Sequence, residues 1–584
     1  MGHFNAHAAL AVDAGGRLWL AWDEGGPEWG KDTGYFWHPT LTLDGHIAVK
    51  RFRERGTGLY ESRWIQVRVR EKDGWHHVPL IPERMPAELQ EFVELPALVA
   101  DSAGRMWLLF RHRTCRRPRE DGWAASGRWD MWALAWLGHE WSAPVPLPDS
   151  GGRNDMRAAV GTDAQGTAWV AYATDHRPYF PQSMPERNLS ITLCSLVAAP
   201  EPGGWQSGAP VTPAPALPQR KVHATESEDV ARVRTHSVRH HGRTYRIYRG
   251  DLHRHTDISS DGVGDGSLMD LHRYALDVAA LDFILVADHN MGNDREYSWW
   301  RTQKANDLYT VPGTFISMYG YERSVRYPNG HRNVIWTRRG HRTLALPNQA
   351  IPAQMARDTS RLYEYLRASD GICTAHTTAS DQGTDWRQWD GRLEPIVELF
   401  QGYHTSYEMA DAPLAIDERA LLVHGPYKPD GFVQEALQKG YRLGFQASSD
   451  HIATHTSYAC VLAEEFTRTG LVEAMRKRHT YAATDNILVD FRARELALMG
   501  DECAMSEPSF DIVVVGTAPL AEVTILRNGQ VVHRATPADK NARSVHLRWT
   551  DPQPERRKTS YYYVRTVQRD GHMAWASPIW VRVD

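Results

Sequence analysis

Three patterns of apolar and polar positions follow one another along the chain. In the first 215 residues, large apolar side chains alternate with small or polar ones in short runs broken by Asp/Gly turns. This is the period-two signature of half-buried strands. Residues 8–22, centred on the turn Asp13-Ala14-Gly15-Gly16, return in degenerate form as residues 97–110 around Asp101 and residues 159–172 around Asp163. Each copy reads strand, turn, strand, and a second hairpin-like stretch follows each, at residues 65–80, 131–147 and 189–211. Four strands per repeat is the size of a propeller blade. Residues 1–218 are therefore expected to form a propeller-like β domain with three visible blades, against roughly four to eight in closed rings. A divergent fourth blade, an incomplete ring or a ring shared by two chains would each reconcile the count; an open β-sandwich is the alternative. The Pro-rich residues 210–218 read as a linker, and residues 219–243 as linker or an additional hairpin.

From residue 244 to 495 the pattern changes to short, wholly apolar strands alternating with amphipathic helices. Leu268, Leu271, Ala275 and Val278 fall on one helical face just after Gly266-Ser267, and residues 353–368 and 471–477 also read as helices. Strand–helix repetition of this kind indicates a parallel α/β domain. Residues 496–584 return to strands separated by turn clusters, with Asn528-Gly529 as a hairpin turn, and predict a small immunoglobulin- or fibronectin-like β-sandwich.

Composition changes little in this picture. The chain has 584 residues, 42% hydrophobic and 24% charged, so it supports several cores. Its formal charge of −4 gives no reason to expect a nucleic acid or an anionic membrane as partner. The five cysteines are widely spaced with no CxxC, which argues against a disulfide framework and a thiolate zinc site. No basic-then-apolar leader and no membrane-length apolar stretch is visible, so a cytoplasmic location is expected.

The chemistry is concentrated at the strand ends of the middle domain. His253 and His255 sit two apart at the end of a strand, with Asp261 in the following Ser-Asp-Gly turn. Asp288-His289 closes the strand Phe283-Ile284-Leu285-Val286, Glu322 closes another, His331 opens Asn333-Val334-Ile335-Trp336, and His376 and Asp450-His451 end two more. In a parallel sheet, such positions share one face. Imidazoles and carboxylates gathered there form a mixed N/O site for divalent transition metals, and a carboxylate such as Glu322 can bridge two ions. The spacing predicts a multinuclear centre and hydrolysis. Arg254, Arg323 and Arg332 each adjoin a motif residue and are candidates to clamp a substrate anion, although neighbours along a strand point to opposite sides. His404, after another strand end, is a candidate for contact with metal or substrate.

The run DLHRHTDISSDG, then VADHN, GYE, GHRN, AHT and SSDH, resembles the polymerase and histidinol phosphatase (PHP) family over residues 245–485. The resemblance implies a distorted (β/α)7 barrel holding two or three divalent ions such as Mn, Zn or Fe. It implies that His253, His255, Glu322 and Asp450 hold one ion, that Glu322 bridges to a second held by His331 and His376, and that Asp261, His289 and His451 hold a third. Glu322, Asp450 and His376 would then carry the catalysis. One departure puts the third site in doubt: the family closes with Asp-x-His, whereas here Asp450 and His451 are adjacent and His455 is a second candidate. The expected activity is phosphoester hydrolysis on a small phosphorylated molecule by metal-bound hydroxide. The alternatives are hydrolysis of an amide or ester, or a binding scaffold with a vestigial metal site. A homodimer is possible on either reading.

Overall fold

The computed structural model describes residues 4–25, 63–78, 86, 89, 93–113, 128–152, 156–176, 190–197, 202–212, 225–259, 265–290, 296–402, 405–417, 426–451 and 457–583. The chain divides into two compact units, one holding the N-terminal repeats and the other most of the chain from His223 on.

In the first unit each repeat is an antiparallel sheet. Strands Phe4–Val12, Leu18–Gly25, Arg63–Glu71 and Gly74–His77 form the first, and Val93–Ala100, Met106–Arg113, Trp129–Trp136 and Val145–Pro146 the second. Ala159–Thr162, Ala168–Thr174 and Ser190–Leu196 form a third, three-stranded among the described residues. The turn aspartate explains why the motif repeats. Asp13 accepts the backbone N–H of Arg17 at 3.0 Å and the indole N–H of Trp19 at 2.9 Å. Asp101 does the same for Arg105 (2.9 Å) and Trp107 (2.9 Å), and Asp163 for Thr167 (2.9 Å) and Trp169 (2.7 Å). One carboxylate thus closes the turn and satisfies an indole, fully buried at Trp19 and Trp107 and partly buried at Trp169. Trp19, Ile65 and Val67 of the first sheet pack with Leu98, Leu108 and Phe110 of the second. Leu109, Met131 and Ala133, on the other face of the second sheet, pack with Val170, Tyr172 and Leu196 of the third.

The second unit opens with a helix, Glu226–Thr235, and the hairpin Ser237–His240 to Arg243–Arg254. The helix was not expected: its mean hydropathy is low and only Asp229, Val230 and Val233 are buried. Seven strands then carry the site: Arg243–Arg254, Phe283–Val286, Ile316–Arg323, Arg332–Trp336, Ile372–Ala375, Ile396–Gln401 and Gly444–Ser448. Neighbours in this order are hydrogen-bonded, and the last returns to the first through a parallel bridge between Asp450 and Arg254. The expected parallel order is corrected at one of these seven strands, and Tyr458–Ala463 also pairs antiparallel with Arg243–Arg254. Arg332–Trp336 runs antiparallel to both neighbours, so its first residues, not its last, lie at the shared end. Two glycines permit close strand approach. A Cβ on Gly250 would meet the Phe283 ring at 2.4 Å, and one on Gly320 would meet the Val334 carbonyl oxygen at 2.0 Å.

The helices cover the sheet. Leu268–Arg273 continues as a π-turn over Tyr274–Val278, and Arg468–Arg476 starts at Thr467, whose side chain accepts the Gly470 N–H at 2.9 Å. The helix expected over 353–368 is two, Pro352–Met355 and Asp358–Ser369. Beyond it, Leu488–Ala493, Ser509–Val515 and Ser544–Thr550 pair in one sheet, and Leu520–Arg527, Thr559–Gln568 and Ile579–Arg582 in another. The two sheets face each other through Phe510 and Tyr562, ring centroids 4.8 Å apart. Among the described residues, no helix is long and apolar enough to cross a membrane.

Candidate metal centre

The strand ends deliver their imidazoles and carboxylates to one point. His253 is the penultimate residue of its strand, and His255 lies just beyond the end. His289 follows Phe283–Val286 and bridges in parallel to Glu322, the penultimate residue of Ile316–Arg323. His331 precedes the antiparallel Arg332–Trp336, which brings it to the same end. His376 follows Ile372–Ala375, and Asp450-His451 follows Gly444–Ser448. The backbone N–H of Asp450 donates to the His253 carbonyl at 2.7 Å, tying the last strand to the first.

Glu322 is the centre of the cluster, and its two oxygens face different partners. Oε2 lies 3.3 Å from His253 Nε2, 3.1 Å from His255 Nε2 and 3.4 Å from His289 Nδ1. Oε1 lies 2.5 Å from His331 Nδ1 and 3.2 Å from His376 Nε2. On the far side of His255, Asp450 Oδ1 stands 3.0 Å from His255 Nε2 and 3.2 Å from His451 Nε2. Ligand atoms about 2.1 Å from a tetrahedral ion stand roughly 3.4 Å from one another, so these separations suit shared cations. His376 Nε2 and Asp450 Oδ1 are buried and make no hydrogen bond, although charged or polar neighbours stand within 3.2 Å. Such atoms converge on a point rather than on each other, as ligand lone pairs do.

Protonation states agree with that use. Burial would raise the Glu322 carboxyl, but the charge of His289 and hydrogen bonds from His253 and His255 hold it well below the usual carboxylate range. Burial likewise opposes ionisation of Asp450, and His451 and His253 outweigh it. Burial and the neighbouring His253 push His376 down to about 3, so it offers a lone pair at neutral pH. His253 goes the other way: burial disfavours its charge, yet Asp450 and Glu398 hold its pKa well above normal. The acids thus draw a positive charge into a buried site, and a cation bound there would displace that proton.

Two residues of the cluster region hold unusual backbone. Asp450 has φ 58° and Thr377, next to His376, φ 51°. A β-branched residue in the left-handed region costs roughly 1–3 kcal/mol, and such strain gathers at functional sites.

The sequence reading uses the end of the strand Ile396–Gln401, ahead of His404, but not the polar residues inside it. Glu398, fully buried, accepts from His253 Nδ1 at 3.0 Å and from the Ser448 hydroxyl at 2.7 Å, which directs His253 Nε2 toward Glu322. Its Oε1 has no hydrogen-bond partner, and with His253 and His376 it forms a further group able to hold an ion. Gln401 Nε2 donates to Thr377 Oγ1 at 3.2 Å, and Thr377 Oγ1 accepts from His376 Nδ1 at 2.8 Å. A charged residue and an amide inside Ile396-Val397-Glu398-Leu399-Phe400-Gln401 were the available signal, since polar side chains in a buried strand need partners. Asp288 acts on the loop after His255: it accepts the Thr256 N–H at 2.6 Å and the Thr256 hydroxyl at 2.7 Å.

No family model matches the chain. An uncharacterised protein of Chlamydia pneumoniae is 28% identical over 348 residues, 53% of this chain and 53% of that protein. Uncharacterised proteins of Chlamydia muridarum and Chlamydia trachomatis are 27% and 28% identical over 260 residues, 38% of this chain and 40% of theirs. The chain spans about half the length, or less, of the curated relatives it matches. Among solved structures, a two-domain protein of Bacteroides vulgatus, containing a predicted PHP-like metal-dependent phosphoesterase, covers 57% of this chain and 95% of its own at 15% identity and TM-score 0.31. That overlap is slight, and the chemistry rests on the residues themselves.

The arginines are placed differently from expectation. Arg323 is buried with Nη2 2.5 Å from Asp358 and Nη1 2.6 Å from the Leu344 carbonyl oxygen. Arg332 is buried with Nε 2.9 Å from Glu394 and a further bond to the Asn329 carbonyl. Strand alternation sends them away from the side that Glu322 and His331 face, so the expected clamp on substrate is corrected to two internal ion pairs. Arg254 Nη1 donates to the Asp450 carbonyl at 3.1 Å and so braces the ligand loop. Asp261, His404 and His455 lie outside the described residues.

Proposed function

We propose that the chain is a metal-dependent hydrolase, and specifically a phosphoesterase acting on a small phosphorylated molecule. The observation that carries this reading is the division of Glu322, one oxygen toward His253 and His255 and the other toward His331 and His376. That is the arrangement for a carboxylate shared by two cations. The order of the motifs supports phosphoester chemistry in particular. We read the seven strands as a closed, distorted barrel, with the repeat domain before it and the sandwich after it.

Two divalent ions held by these residues would act as Lewis acids, polarising a bound ester and easing deprotonation of water at neutral pH. The chain's own residues do the rest. His253, His376 and Glu322 are almost fully buried and form the floor, while His289, His331 and Asp450 keep some exposure and form the side from which substrate approaches. Asp450 Oδ1 and His451 Nε2, 3.2 Å apart, form with His255 a further group that could hold an ion on that side. Glu398 and Gln401 fix the two innermost rings.

The test is phosphate release from a panel of small phosphomonoesters by protein loaded with Mn, Zn or Fe, beside chelator-treated protein. Metal-dependent release is expected. Hydrolysis of esters or amides without phosphate release would move the assignment to the alternative bond; no hydrolysis of any panel member by metal-loaded protein would overturn the phosphoesterase reading. Glu398 gives a separate check. Glu398→Leu frees His253 from its buried acceptor and is expected to weaken metal binding roughly 10- to 100-fold in competition with a chromogenic chelator, while Glu398→Gln, which still accepts, retains most of it. Equal affinities in all three proteins would show that Glu398 does not position His253.

A further inference from the structure

Among the described residues, the repeat in the first unit leaves two matching sheet faces uncovered. Counted from the turn aspartate, the residue six positions on (Trp19, Trp107, Trp169) and the residue eight positions on (Ala21, Leu109, Ala171) lie on one face of their sheet. Register places equivalent cross-strand partners beside them. Val67 pairs with Ala21 and Ile65 with Asp23; Ala133 pairs with Leu109 and Met131 with Arg111; Leu193 pairs with Ala171 and Ile191 with Ala173. In the first sheet this face packs on the second, and Ile65 and Val67 are 0% and 2% exposed. In the second sheet it packs on the third, and Met131 and Ala133 are 2% and 0% exposed. In the third sheet the same two positions, Ile191 and Leu193, are 73% and 63% exposed.

The opposite face shows the complementary gap. Leu98, Leu108 and Phe110 of the second sheet are covered by the first. The equivalent positions of the first sheet are Leu10, Leu20 and Trp22, and Leu10 is 64% exposed with Val12 beside it at 58%. Register keeps Leu10 next to Leu20 and Val12 next to Leu18 on that face. Apolar residues at positions that the other repeats bury form a surface awaiting a cover. Both internal interfaces show what covers it: the face that Leu10 and Leu20 belong to in the next repeat.

We propose that two copies of this chain pack head to tail, the third sheet of each against the first sheet of the other. The second sheet lies between the first and third, so the two exposed faces are at opposite ends of the described stack. Two copies related by a twofold axis satisfy both faces with one kind of contact, a continuation of the packing already repeated within the chain. The product is a ring of six sheets, within the roughly four to eight of closed propellers.

The test is the mass in solution of the full-length chain, by light scattering on a sizing column, for wild type, Leu193→Glu, Leu10→Lys and an equimolar mixture of the two variants. Wild type is expected at twice the 66.2 kDa of the chain, and each variant alone at the monomer mass with an unchanged circular dichroism spectrum. The mixture is expected to recover the dimer, because one contact is then wild type on both sides and the other pairs Glu with Lys. Wild-type monomer, a higher oligomer, or a dimer unaffected by either substitution would overturn the proposal. Monomeric variants that fail to recover the dimer on mixing would also overturn it, since that outcome belongs to a self-paired interface.

Discussion

Glu322→Gln is expected to retain its fold, lose at least one of two bound metal ions, and lose hydrolysis by on the order of a thousandfold or more. The amide has the size of the carboxylate but carries no charge and offers one acceptor oxygen instead of two. The five imidazoles within 3.4 Å of Glu322 then lose the anion they share. Whichever way the amide turns, its NH2 group faces either His253 and His255 or His331 and His376, and an NH2 group cannot coordinate a cation. Elemental analysis beside circular dichroism checks this. Full metal content and near wild-type turnover in Glu322→Gln would remove Glu322 from the centre of the account.

Glu394→Leu is expected to lower stability by about 3–5 kcal/mol, seen as a melting temperature lower by roughly 10 °C. Glu394 is fully buried, 2.9 Å from Arg332 Nε and 2.5 Å from the Tyr363 hydroxyl. Removing it strands a guanidinium away from water, which is why breaking such a pair costs more than its net value. Replacing both partners, as Arg332→Met with Glu394→Leu, is expected to recover most of the loss. The double variant also decides what Arg332 is for. Unchanged KM, measured on any substrate the screen identifies, agrees with an internal ion pair; a large rise in KM with stability restored would return Arg332 to the substrate.

The members of the histidine–carboxylate cluster were legible because each is a polar residue next to a wholly apolar strand, where chain direction alone puts it at the mouth of a sheet. Glu322, His376 and Asp450 were found this way. What needed the fold was direction and distance. An apolar run such as Asn333-Val334-Ile335-Trp336 looks the same parallel or antiparallel, so the reversed strand could not be read, although His331 reaches the cluster because of it. The arginines were misread because their acids lie 35 and 62 residues away, at Asp358 and Glu394. Glu398 sits inside a strand and not at its end; there a buried carboxylate serves a neighbouring ring, and strand-end position carries no signal. In the first unit the repeat was visible as spacing, but the reason for the aspartate appeared only when its bonds to the turn and the tryptophan were seen.

The most direct measurement of the central claim is the metal content of the chain purified without chelator and again after reconstitution with Mn, Zn or Fe. Two or more equivalents of divalent transition metal per chain, removed by chelator and restored on reconstitution, are the predicted result. No bound metal under either condition would contradict it, and would leave the histidine cluster as a structural feature of a binding protein.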